Sequence, residues 1–155
     1  MISASWRAFN RGVAATGIPL SAWLLAFSSF FFLSLAAVKR QAELVDTIKV
    51  GKQKASGRGY HVDDLPIITM ISISAGYVAV LVMALYVASP AVLELYQSPH
   101  ALWGVCAVLL YWVSRTVMLA HRGAMHDDPV VYAIKDRVSR ICFVAILIFI
   151  AAAVL

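Results

Sequence analysis

Charge is scarce in this chain of 155 residues. Asp, Glu, Lys and Arg make up 14%, against about 25% in soluble domains, while hydrophobic residues reach 62%, against about 45–50%. That shortage excludes an ordinary soluble domain. The alternation of apolar and polar residues that a membrane β-barrel needs is also missing. Cysteine is nearly absent: Cys106 and Cys142 form no Cys-x-x-Cys pair or Cys/His cluster and read as buried small apolar side chains. No internal repeat or low-complexity tract is present. The apolar runs hold no Asp or Glu and no pair of interrupted helices, which argues against a transporter.

What is present is four long apolar runs, 19–38, 66–88, 101–120 and 138–155. A helix of about 20 apolar residues crosses the hydrocarbon core of a bilayer. The last run is the shortest, and a helix starting at Pro129 would have length to spare. The fold class expected is therefore all-α: a polytopic transmembrane helix bundle of about four spans, forming a single membrane domain over 1–155. Arg7 and Arg11 precede the first run. At 20 residues that run exceeds the about 7–15 of a secretory signal, and Lys39-Arg40 follow it, so it reads as a retained span.

The net charge of +5 would suggest nucleic acid in a soluble protein; here it reports topology, and no nucleic-acid partner is expected. Six of the 13 Lys and Arg lie in 39–65, and five more are Arg115, Arg122, Lys135, Arg137 and Arg140. The connector 89–100 has none. The positive-inside rule then places both charged segments, 39–65 and 121–137, in the cytoplasm and both termini outside, in what reads as a bacterial inner membrane protein.

Polar groups gathered at one face of a bundle read as a site. The first span has no breaker after Val38, so the helix is expected to continue into water through Asp46. Lys39, Glu43 and Asp46 share one face of it at i, i+4 and i+7. Mg²⁺ is commonly held by one or two carboxylates together with substrate phosphates. Glu43 and Asp46 thus form a candidate metal pair, with Lys39 and Arg40 as phosphate ligands. The same residues also suit a plain solvated helix end. Gly57-Arg58-Gly59-Tyr60 marks a turn whose backbone and Arg58 could approach an anion, or a simple mobile loop. Asp63-Asp64-Leu65-Pro66 and Asp128-Pro129 each read as an acidic N-cap with proline in the first helical turn.

A third cluster runs from Arg115 to Arg140. Arg115 lies inside the third span, where a buried arginine usually faces an interior partner or a polar cavity. Arg122 follows two turns later, Asp127 and Asp128 open the next helix, and Asp136 with Arg140 forms an i, i+4 pair able to satisfy itself. His121 and His126, at i, i+5, are badly spaced for two ligands on one helical face.

These residues carry a family resemblance. Ala15-Thr16-Gly17-Ile18-Pro19, Leu33-Ser34-Leu35-Ala36-Ala37-Val38-Lys39-Arg40-Gln41-Ala42-Glu43-Leu44, Gly57-Arg58-Gly59-Tyr60 and Tyr111-Trp112-Val113-Ser114-Arg115 resemble the UbiA superfamily of intramembrane prenyltransferases. The most specific stretch is His121-Arg122-Gly123-Ala124-Met125-His126-Asp127-Asp128-Pro129-Val130-Val131. The likeness is to the branch holding decaprenyl-phosphate phosphoribosyltransferase-like and dehalogenase-fused proteins, and it covers about Gly12 to Leu155.

The resemblance implies the C-terminal half of a bundle of about nine helices around a cytoplasm-facing cavity. It implies Mg²⁺ and a polyprenyl phosphate or diphosphate as substrate, with transfer of a prenyl or phosphoribosyl group. Lys39, Arg40, Arg58 and Tyr60 would bind donor phosphates, Glu43 and Asp46 would sit near Mg²⁺, and Arg115, Arg122, Asp127 and Asp128 would line the cavity mouth. Two departures stand out. The family's first acidic motif has no counterpart, and Lys39-Arg40-x-x-Glu43 stands where its second motif is usually DxxxD. The expected function is accordingly part of a transferase that needs a separate N-terminal half, the alternative being a non-catalytic small membrane protein.

Overall fold

The computed structural model describes residues 22–51, 59, 61–126 and 128–155, excepting the side chain of Ala91. Arg58, Tyr60 and Asp127 lie outside the described residues, as does the first three-residue stretch of the expected first span, 19–21. The fold is all-helical. Helices α1 (Ala22–Lys49), α2 (Leu65–Val87), α3 (Pro90–Leu95), α4 (Leu102–His121), α5 (Pro129–Lys135) and α6 (Arg137–Val154) follow one another, with 3₁₀ turns at Val62–Asp64 and Pro99–Ala101. Four of the helical segments are long and apolar enough to cross a membrane, at Ala22–Lys49, Val62–Val87, Pro99–His121 and Arg137–Val154.

The extension of the first span is real and reaches Lys49. At about 1.5 Å per residue its 28 residues measure roughly 42 Å, some two turns more than the ~30 Å hydrocarbon core requires. Ser89-Pro90 opens the short helix α3, whose exposed Leu93 and Leu95 suit an interfacial position. The last helix differs from expectation. It does not run on from Pro129 but breaks at Asp136, which takes an extended conformation (φ −74°, ψ 127°) between α5 and α6. Its carboxylate caps α6 by accepting from Ser139 N at 2.8 Å. The two Asp-Pro caps also part company. Asp128 caps α5 through Val130 N at 3.1 Å, whereas Asp64 turns back to accept from His61 N at 2.8 Å and makes no side-chain cap on α2.

α1 and α2 pack closely because both offer small residues where they meet. Ser34 and Ala37 are buried on α1, and Ser72, Ala75, Gly76 and Ala79 on α2. A Cβ at Gly76 would collide with the Val113 side chain of α4 and lie 2.9 Å from Ser34 Oγ, so the three helices meet there without room for one more carbon. Polar groups sealed inside this seam are all paired. Ser34 Oγ donates to Ser72 O (2.7 Å), Ser72 Oγ to Gln41 Oε1 (3.3 Å), and Gln41 Nε2 to Val117 O (3.4 Å). Gln41 and Ser72 are both 0% exposed, so these bonds replace contacts that lipid cannot make. The sulfurs of Cys106 and Cys142 are free and buried, as their apolar neighbourhoods suggested.

Gly76→Val is expected to destabilise the bundle by about 1–3 kcal/mol, as overpacking does. Gly76→Ala should cost less, because only one carbon must be accommodated. Denaturation of detergent-solubilised protein followed by circular dichroism measures both; equal stability of Gly76→Val and the parent chain would show that the seam is loose.

Candidate functional site

The charged residues converge at one end of the bundle, and they form two levels. The outer level lies on the overhanging end of α1. Lys39 Nζ donates to Asp128 Oδ2 at 2.6 Å, across 89 residues of sequence, and Lys49 Nζ donates to Gly123 O at 2.7 Å. The overhang is thereby stitched to the segment joining α4 to α5. Gly123 makes the second stitch possible: its φ of +64° favours glycine, and any Cβ there would meet the Lys49 side chain. Arg40 Nη1 pairs with Glu43 Oε2 one turn along the same helix, and Asp46 stands 4.0 Å from Lys49 Nζ.

These side chains are half-exposed, 44% and 38% for Lys39 and Asp128. They remain reachable by a ligand, and each ion pair is individually weak. The Lys39 ammonium, with the Val130 N–H, holds the Asp128 carboxyl below the usual carboxylate range. Glu43 and Asp46 project from neighbouring turns and present two half-exposed carboxylates. Among the described residues no group of three His, Cys, Asp or Glu is placed to hold a metal ion. Two carboxylates suit Mg²⁺ nonetheless, because that ion takes its remaining ligands from water and substrate phosphate.

The inner level is more buried. Arg115 of α4 forms a two-pronged pair with Asp136, Nη1 to Oδ2 at 2.7 Å and Nη2 to Oδ1 at 3.2 Å, with side chains only 21% and 13% exposed. Asp136 also accepts from Ser139 N and Ser139 Oγ (2.9 Å). Burial would push its carboxyl pKa up, but the Arg115 guanidinium and the Ser139 bonds together hold it below its ordinary value. Ser139 Oγ in turn accepts from Trp112 Nε1 at 3.0 Å, and the Trp112 ring stacks on Phe31 of α1 with centroids 5.9 Å apart.

Beside this level opens an apolar cavity of about 760 Å³, walled by Phe27 and Phe31 of α1, Leu109 and Trp112 of α4, and Phe143 and Ile150 of α6. Its size is that of a ligand pocket, about 300–1,000 Å³.

Of the residues expected in the site, Lys39, Arg40, Glu43, Asp46 and Asp128 are brought together. Arg115 has its interior partner, but that partner is Asp136. Asp136 and Arg140, spaced so that they could satisfy each other, form no ion pair among the described residues. Arg122 and the two histidines, His121 and His126, are exposed at the end of α4 and beyond it. Lys49 and Gly123 were not expected in the site. The glycine after the last residue of a helix was the available signal for a left-handed turn there.

Replacing one partner of the inner pair, as in Arg115→Gln or Asp136→Asn, should cost about 3–5 kcal/mol, since it strands a buried charge. The double variant should recover much of that loss, and a double-mutant cycle on unfolding free energy checks it. A coupling near zero would mean that water screens the pair. The outer level should respond to acid. Asp128 has a depressed folded-state pKa, so its contribution is present above the unfolded carboxylate value of about 3.9 and is lost as pH falls below that. Amide exchange in α5, corrected for intrinsic rates, should therefore rise below about pH 4. Asp128→Asn should show the raised exchange already at neutral pH.

No family model matches the chain, and no solved structure matches it. Two curated proteins are similar. The nodulation protein NoeC of Azorhizobium caulinodans is 39% identical over 138 residues, which cover 87% of this chain and 44% of that protein. The uncharacterized protein y4nM of Sinorhizobium fredii is 34% identical over 129 residues, covering 83% of this chain and 25% of that protein. The chain thus spans less than half the length of either relative.

Proposed function

We infer that this chain is the C-terminal part of a UbiA-type intramembrane transferase acting on a polyprenyl phosphate or diphosphate at the cytoplasmic face of a bacterial inner membrane. The observation that carries the reading is the 760 Å³ apolar cavity opening beside two levels of charge in a bundle with four candidate spans. An apolar chain needs the cavity; its phosphate needs cations at one end of it. Lys39 and Arg40 would take that phosphate, exchanging their present carboxylate partners for it, and Asp128 would hold Lys39 in position when no ligand is bound.

Glu43 and Asp46 would hold Mg²⁺ from one side, and such an ion would supply neutralisation of phosphate charge. By the family resemblance Arg58 and Tyr60 would add to the phosphate contacts, and Arg122 and Asp127 to the cavity mouth. The remaining carboxylates would come from an N-terminal half, supplied by a longer chain or a partner; both relatives are chains more than twice as long as the part that matches. A second reading, a non-catalytic membrane scaffold, is favoured by one observation. Lys39, Arg40 and Arg115 each already have a carboxylate partner within the chain.

Co-expression with a partner carrying the family's first acidic motif decides between them. Membranes containing both parts should transfer a labelled prenyl or phosphoribosyl group in a Mg²⁺-dependent manner. Lys39→Ala should lower that transfer about tenfold or more, as loss of a charge-assisted phosphate contact does. Absence of transfer with every acceptor class and a well-expressed partner would leave the scaffold.

A further inference from the structure

Two apolar compartments of the bundle share a wall. The cavity of about 760 Å³ and a smaller groove of about 160 Å³ are both lined by Phe27 of α1 and Met83 of α2. Beyond that wall the groove is formed by Trp23 and Leu24 of α1 and by Val82 and Tyr86 of α2. Trp23 lies four residues beyond Phe27 on the side away from Lys39, about 6 Å further along α1. Lys39 itself is twelve residues from Phe27, about 18 Å along the helix axis. The two halves of the wall differ in stiffness. Phe27 stacks on Phe31 with ring centroids 5.4 Å apart, and Phe31 stacks on Trp112. Trp112 is bonded to Ser139 and Ser139 to Asp136, so the Phe27 ring is braced by the inner charged level. Met83 packs against the apolar core, where a methionine side chain changes rotamer at little cost.

A helix is about 10–12 Å across and cannot enter a groove of 160 Å³, whereas the end of a single hydrocarbon chain can. We propose that Phe27 and Met83 form a partition that limits the length of the apolar chain this bundle accepts. The chain end stops at the Phe27 ring and enters the groove only where Met83 gives way. The inference rests on the transferase reading for the kind of chain and for its phosphate at Lys39; the partition itself requires no transfer. The groove adds about 6 Å to a path of about 18 Å, or about four carbon–carbon bonds. That is the main-chain length of one isoprene unit, so the partition separates neighbouring members of a polyprenyl series.

The test uses the full chain in phosphatidylcholine nanodiscs and a series of polyprenyl monophosphates differing by one isoprene unit, each with a diazirine at the far end of the chain. Label is mapped by peptide mass spectrometry. In the parent chain it should fall on the cavity wall, 142–150, and binding should weaken beyond one length in the series. Met83→Ala should move the label of the next longer probe onto Trp23, Leu24, Val82 and Tyr86. It should also tighten binding of that probe about tenfold, the gain from burying about two further methylenes. Phe27→Leu should act in the same direction, while Leu85→Ala, exposed on the same helix as Met83, should keep the parent pattern. The idea is overturned if the parent chain labels the groove with every probe or shows no length limit. It is equally overturned if Met83→Ala and Phe27→Leu, both folded by circular dichroism, leave the label on 142–150, or if Leu85→Ala moves it. Failure of the transfer assay with this labelling pattern intact would instead sink the transferase reading and leave the partition standing.

Discussion

The pairing of Arg115 with Asp136 determines more of this architecture than any other interaction. Arg115 sits six residues before the end of α4, at a depth where an unmatched arginine costs about 2.5–3.5 kcal/mol or more. Asp136 neutralises it, and to do so must leave helical geometry, which ends α5 and starts α6 at that level. From this follow the placement of Ser139 against Trp112, the stacking of Trp112 on Phe31, and the cavity beside them. The same commitment takes from Arg140 the nearest carboxylate on its own helix.

Binding chemistry is divided between two environments as a result. The outer level is made of part-exposed ion pairs that water already screens, so each can be broken at small cost. The inner level is fixed by four hydrogen bonds to one carboxylate, two of them the bidentate pair with Arg115, and functions as framework. Exchangeable charge faces the aqueous side, and rigid charge faces the membrane.

The sequence made the helices legible where local signals agree with the tertiary outcome. α2 and α4 are continuous apolar runs bounded by proline and polar residues, and α1 extends because nothing after Val38 interrupts it. Lys39, Arg40, Glu43, Asp46 and Asp128 were legible as a charged cluster because helical spacing and one-sided charge suffice to group them. The break at Asp136 was not, since Lys135-Asp136-Arg137 contains neither glycine nor proline and the cause lies 21 residues away at Arg115. Local spacing allowed an Asp136–Arg140 pair, and the partner that Asp136 takes lies on another helix. Gln41 escaped notice for a similar reason: a lone amide in a helix gains meaning only when Ser72 and Val117 O are seen beside it.

The overhang of α1 acts as a lever. α1 runs roughly 42 Å, and its last turns extend beyond what a hydrocarbon core of ~30 Å requires while staying tied to the α4–α5 segment through Lys39 and Lys49. A change in the tilt of α1 is therefore passed directly to the start of α5, without travelling through α2. Bilayer thickness, to which helix tilt responds, thereby bears on the position of that segment.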